Sequence, residues 1–306
     1  MLLGNGFVRR NYMIAAAKQK IIGSLRIVKF ISELKMKIKA VQEAKRAFIA
    51  ANTPPVLIYQ MGKVGSSTVY NSLIHAAIPN PVLHLHFLSE DIAKHKMTFK
   101  NAGIYPVYHL VLGEAVRKML LEKPGFPCKI ISLVRDPIAF VISDLFQNPY
   151  FSSDDVMSDN GAIDEAKATQ YLDRELKKPK TFSYVDQWFD RELNRVFDID
   201  VFAEPFPVDI GYCVYKKANV EVLVIRLEDL TQKGPKAIAD FLNLEKHLVL
   251  EQRNVRNESR ESSSYHRVLR RLRLNEVTCR TIYSSRFVKH FYNEEMISQA
   301  ITKWTK

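Results

Sequence analysis

Three short strings in this 306-residue chain hold residue types that could do chemistry together. The first is Gln60-Met61-Gly62-Lys63-Val64-Gly65-Ser66-Ser67-Thr68, in which two glycines and a lysine precede three hydroxyl side chains. That composition suits an anion. The ammonium supplies charge, a helix N-terminus supplies aligned N–H groups, and the hydroxyls both cap the helix and donate. The second string, Arg135-Asp136-Pro137 with Ser143 beyond it, offers a forked guanidinium and a hydroxyl that can share one phosphate dianion. The third is His84 and His86. Strand side chains alternate, so both rings face one side, and histidine is the side chain best suited to general-base work at neutral pH.

These residues need elements to position them. Val56 to Tyr59 is a short apolar run that reads as a buried strand, and the apolar spacing of Val69, Leu73 and Ala76–Ala77 predicts a helix after the glycine loop. Asp136 suits a helix cap with Pro137 in the first helical position. Ser143 follows Asp136 by nearly two turns and so returns to the face on which that helix began. Further strands are predicted at 82–87, 103–111, 129–134 and 220–225, with helices between them. This alternation predicts an α/β fold with a central, mainly parallel sheet covered on both faces and a site at the strand carboxyl ends. The pattern divides the chain into a basic N-terminal helical arm, 1–51, and an α/β domain, 52–306, with a helical insertion at about 150–215.

Composition narrows the partners. Apolar residues make up 47% and charged residues 25%, as in ordinary globular proteins. The net charge is +12, but residues 1–50 hold eleven Lys/Arg against Glu33 and Glu43, so about +9 sits in the arm. The domain itself is nearly balanced, which argues against nucleic acid. Cys128, Cys213 and Cys279 show neither disulfide nor metal spacing, so a reducing, cytoplasmic setting is expected. No apolar run reaches the length of a membrane span. Residues 12–50 read as one amphipathic helix, with Ile31, Leu34, Ile38 and Val41 in its apolar stripe. Such a helix suits peripheral contact with an anionic membrane surface, a partner, or a face of its own domain; a transit peptide is the weakest of these readings.

The loop is not a Walker A motif, because Lys63 precedes the final glycine instead of following it. Its order resembles the 5′-phosphosulfate loop of the superfamily of sulfotransferases that use 3′-phosphoadenosine 5′-phosphosulfate (PAPS), many of which have proline where this chain has Gly62. Leu133 to Ser143 resembles that superfamily's 3′-phosphate motif, R-[DN]-P-x5-S, in the same order along the chain. The segments VLHLHFLSEDI (82–92), WFDREL (188–193), IDV (199–201), IRLEDL (225–230) and SRFVKHFY (285–292) resemble a bacterial, sulfotransferase-like family of capsular polysaccharide synthesis proteins, over about Val56 to Ile297.

The resemblance implies a P-loop-like three-layer fold and an enzyme that moves a sulfuryl group from PAPS to a hydroxyl of a capsular or cell-surface glycan, without a metal. It assigns Gly62, Lys63, Val64, Gly65, Ser66, Ser67 and Thr68 to the 5′-phosphosulfate, with Lys63 at the bridging oxygen, and Arg135 and Ser143 to the 3′-phosphate. An H-x-H in glycan 2-O-sulfotransferases supplies the base, which points to His86 first and His84 second; a carboxylate such as Asp91 or Glu114 is the alternative. A metal at His84 and His86 is disfavoured because no third ligand lies nearby in sequence, and His109 and His290 read as structural. Trp188 and Phe189 read as core, the basic run Arg256–Arg273 as a solvated face, and Asn254 as a weak nucleotide contact. The competing functions are a P-loop kinase or NTPase and a non-catalytic glycan-binding or assembly protein on the same fold.

Overall fold

The computed structural model describes residues 30–147, 156–158, 163–245, 248–251 and 260–306. Residues 1–29 of the arm, and Asn254 with the start of the basic run, lie outside them. The described chain begins with helix α1 (30–45), which runs into a π-helical turn, Arg46–Ala50. Strand β1 (Val56–Tyr59) and helix α2 (Ser66–His75) follow, then β2 (Val82–Leu85), α3 (Ile92–Asn101), α4 (Tyr108–Glu122), β3 (Cys128–Val134) and α5 (Pro137–Gln147). Helices α6 (Glu165–Leu176), α7 (Pro179–Phe189) and α8 (Arg195–Phe197) lead to the pair β4 (Tyr212–Lys217) and β5 (Val220–Arg226). The chain closes with α9 (Leu227–Leu242), α10 (Arg260–Arg271), α11 (Glu276–Tyr283), α12 (Arg286–Phe291) and α13 (Glu294–Thr305).

The five strands form one sheet in the order β2-β1-β3-β5-β4, parallel except for β4. All four residues of β1 are buried, as are all of β3 and β5 except Lys129 and Glu221, which pair with each other at 3.0 Å. Continuous apolar strands of this kind are what a parallel sheet with helices on both faces demands. After β1 the chain steps one way to β2, and then returns past β1 to β3. The two neighbours of β1 are therefore reached by connections leaving in opposite directions, which opens a crevice above the carboxyl ends of β1 and β3.

Two expectations need correction. The apolar run 103–111 is not a strand: Pro106 has no N–H to give a ladder, the amides of Ile104 and Tyr105 both donate to Phe99 O, and α4 starts at Tyr108. The sequence reading also missed β4, which pairs antiparallel with β5 across a two-residue turn, Ala218-Asn219. Helix α1 lies on the domain through Ala40 and Ala44, and the following turn through Ala47 and Phe48, all buried in the main core; Phe48 packs on Phe126 with centroids 5.1 Å apart. The larger stripe, Ile31, Leu34, Ile38 and Val41, is 42–49% exposed. Small residues let the helix axis approach closely, and the bulky ones are left outside. Among the described residues no helix is long and apolar enough to cross a membrane, and the three cysteines are free thiols.

Candidate functional site

Loop 60–65 turns sharply off the end of β1. Lys63 (φ +63°) and Gly65 (φ +87°) are both left-handed, and Gly65 stands at the N-cap of α2 without a side-chain cap. That helix shares this with α3, α4, α7 and α9, whereas α6, α11, α12 and α13 are each capped by a side chain, from Asp164, Asn275, Ser285 and Asn293. Helix α2 thus presents its first-turn amides and positive dipole end at the crevice without an internal carboxylate or hydroxyl cap. Val64 is fully buried and Ser66 nearly so, while Gly62, Lys63, Ser67 and Thr68 are partly exposed, so Val64 holds the loop down and the others face outward. A Cβ on Gly62 would meet nothing within 4 Å. Gly65→Ala is expected to lower stability by about 1–2 kcal/mol in a urea titration, since the left-handed backbone disfavours any Cβ. That Cβ would also stand 2.6 Å from Leu227 Cδ1.

The Arg135 string reaches the same place from β3. Asp136 Oδ1 accepts from Ala139 N at 2.7 Å, which is the expected cap on α5 with Pro137 in the first position. The strand end is locked from the far side: Asp136 N donates to Glu228 Oε1 at 2.9 Å, and the Tyr283 hydroxyl donates to Asp136 Oδ2. Burial pushes the carboxyls of Asp136 and Glu228 above their ordinary range. Held this way, Arg135 sends Nη1 to the Lys63 carbonyl oxygen at 2.8 Å. Two strings more than seventy residues apart in sequence therefore meet across the crevice between β1 and β3. Ser143 lies partly buried in the second turn of α5, next to Asp144. Burial raises the Asp144 carboxyl, and the Lys63 charge opposes that rise. Asp144 is a site carboxylate that the sequence reading missed, because nothing in its local string announces a neighbour on β1's loop.

His84 lies in β2 and His86 just beyond its end, with ring centroids 5.0 Å apart, so the two do share a side. A third imidazole joins them. His109, in the first turn of α4, sits 4.6 Å from the His84 ring and 4.5 Å from the His86 ring. The reading of His109 as merely structural therefore needs amending, because the fold supplies the third ring that the local sequence lacked. His86 Nδ1 hydrogen-bonds Gln60 O at 2.9 Å, and His109 Nδ1 hydrogen-bonds His84 O at 3.1 Å. Burial first and the neighbouring imidazoles second lower His84 to about 2. Burial, His109 and Lys63 lower His86 to about 3 against the help of its carbonyl partner. Burial also lowers His109. Both side-chain amide atoms of Gln60 are buried without a hydrogen-bond partner, immediately before the lysine loop.

The other candidates fall elsewhere. Asp91 is tied to Lys94 at 2.8 Å and Arg195 at 3.4 Å, and the Lys94 contact holds its carboxyl below the usual range. Glu114 pairs with Lys96 at 2.6 Å. Arg267 and Arg271 pair with Glu165 on α6. Trp188 is buried against Tyr59 and Phe189, and His290 packs between Phe202 and Phe206. Glu192, from WFDREL, is 2% exposed and accepts from Leu88 N (2.9 Å), Ser89 N (2.8 Å), Ser89 Oγ (2.8 Å) and the Tyr59 hydroxyl. It pins the segment after β2 to β1 from over one hundred residues away, and no local signal marks it.

Residues 160–293 match the family model described as "Putative capsular polysaccharide synthesis protein". The match takes in WFDREL, IDV, IRLEDL and SRFVKHFY. It begins after the Lys63 loop, the His84–His86 strand and Arg135, so the extent expected from about Val56 is not reached. No curated protein and no solved structure matches the chain.

Proposed function

We propose that this protein is a PAPS-dependent carbohydrate sulfotransferase on a P-loop-like three-layer fold, acting on a hydroxyl of a capsular or cell-surface glycan. The observation that carries the reading is the Arg135–Lys63 hydrogen bond, which brings two anion-recognising strings together at the crevice where an α/β sheet binds ligands. The similarity of residues 160–293 to a capsular polysaccharide synthesis family supports a glycan as the acceptor.

In this reading the uncapped end of α2, with Gly62, Lys63, Val64, Gly65, Ser66, Ser67 and Thr68, receives the 5′-phosphosulfate, and Arg135 with Ser143 receives the 3′-phosphate. The acceptor oxygen attacks sulfur in line, and the bond from sulfur to the bridging oxygen breaks. Lys63 meets the charge that grows on that oxygen as adenosine 3′,5′-bisphosphate leaves. The acceptor proton passes to the bare Nε2 of His86, whose Nδ1–H is committed to Gln60 O. A bound phosphosulfate would bring negative charge beside Lys63 and raise the basicity of that ring. His84 and Asp144 are the next candidates for the same proton.

The test is a calorimetric titration with adenosine 3′,5′-bisphosphate, with 5′-AMP and ATP as controls. Binding is expected to need the 3′-phosphate and to weaken at least about tenfold in Arg135→Ala, in line with loss of charge-assisted bonds. No binding, or a preference for ATP with Mg²⁺, would overturn the proposal and favour a kinase-like enzyme.

A further inference from the structure

We propose that His84, His86 and His109 form a site for one divalent transition-metal ion of the zinc type, with three imidazole ligands and an open fourth position. One ring nitrogen from each lies within 4.8 Å of the other two. The two carbonyl contacts fix the tautomers. An Nδ1 facing a backbone oxygen must carry the proton, so His86 and His109 each present a bare Nε2 lone pair. Metal-bound histidines are oriented in this way, by a carbonyl or carboxylate on the other ring nitrogen. The remaining ring supplies an independent sign: His84 Nε2 is buried and has no hydrogen-bond partner. Its ring is fixed by stacking on Tyr70, with centroids 5.4 Å apart at 24°.

The geometry asks for a small closure. Zn–N bonds of about 2.0–2.1 Å in a tetrahedron place ligand nitrogens about 3.3 Å apart, a ring shift of about 1.5 Å at most from the separations seen here. The charged group that acts on His86 and His109 is Lys63, and it disfavours any cation held by charge alone. An all-nitrogen set beside a lysine therefore selects an ion that bonds imidazole strongly, and rejects Mg²⁺ and Ca²⁺, which require oxygen.

One consequence rests on the transferase reading: the Nε2 that ligates the ion is the one that takes the acceptor proton, so a bound ion and the base role of His86 exclude each other. The site itself does not depend on that reading.

The experiment is a titration of the full chain, without nucleotide, with Zn²⁺ by calorimetry and with Co²⁺ by visible absorption, using Mg²⁺ as a control. One ion per chain is expected, with the intense d–d bands of four-coordinate cobalt and no Mg²⁺ heat. His109→Gln and His84→Gln, each checked for fold by circular dichroism, should both weaken binding at least about tenfold. Failure of the wild-type chain to take up one ion, or unchanged affinity in both variants, would overturn the site. Zinc uptake at these rings without adenosine 3′,5′-bisphosphate binding would sustain the metal site and remove the transferase reading. In a working transfer assay, added Zn²⁺ should inhibit and a chelator restore the rate; full activity of the zinc-loaded protein would overturn the mutual exclusion.

Discussion

On the proposed sulfotransferase reading, Lys63→Ala is expected to lower sulfuryl transfer at least about 10²–10³-fold, the usual loss when a preorganised group facing developing charge is removed. The structure explains why no neighbour can replace it. Lys63 stands in the turn between β1 and α2, where its charge acts on His86, His109 and Asp144. Arg135 is held by the Lys63 backbone oxygen, which alanine retains, so the 3′-phosphate contact should survive the substitution. Alanine also inherits the same left-handed backbone without added strain. The expected signature is a collapse of kcat with nucleotide affinity changed far less. Turnover from PAPS onto a glycan acceptor, beside a bisphosphate titration, measures both. Normal turnover would place the transferring group elsewhere.

Glu192→Ala should lower stability by about 3–5 kcal/mol, because each buried donor left without its acceptor costs about 1–3 kcal/mol before relaxation. Four donors lose their acceptor at once: two backbone amides, the Ser89 hydroxyl and the Tyr59 hydroxyl. Burial and the adjacent Glu192 push the Tyr59 hydroxyl well above its ordinary range, so it stays a donor and cannot compensate by ionising. Urea or thermal unfolding reads the loss. A change below about 1 kcal/mol would mean that water or a relaxed backbone satisfies these groups.

Much of this arrangement could be read before any coordinates. The strands β1, β3 and β5 are near-continuous apolar runs, and a fully buried parallel strand has no other way to look. The Asp136–Pro137 helix start carries its own local chemistry and folds as that chemistry predicts, whereas α2 begins after the lysine loop as expected but with Gly65, not a hydroxyl side chain, at its N-cap. What escaped was non-local or misleading in size. Strand β4 is mostly not buried and ends in Lys216 and Lys217, so it lacks the apolar run that marks β5 beside it. Pro106 spoils an otherwise strand-like run. In α1 the bulky stripe drew attention, yet the alanines make the closest approach to the core. His109, Asp144 and Glu192 acquire meaning only from partners on other elements, and the spacing within their own segments gives no warning of it.

The sheet order has a consequence for how the chain comes off the ribosome. Strand β3 finds β1 waiting on one side, but its other edge pairs with β5 along seven residues, Cys128↔Val220 to Val134↔Arg226. That partner emerges roughly ninety residues later, and until then an apolar edge with unpaired N–H and C=O groups stands open to other chains. The nascent protein therefore passes through an adhesive stage in the middle of its synthesis. The arrival of β5, with the lysine-tipped β4 made just ahead of it and paired along its far side, closes that edge and leaves a charged one in its place.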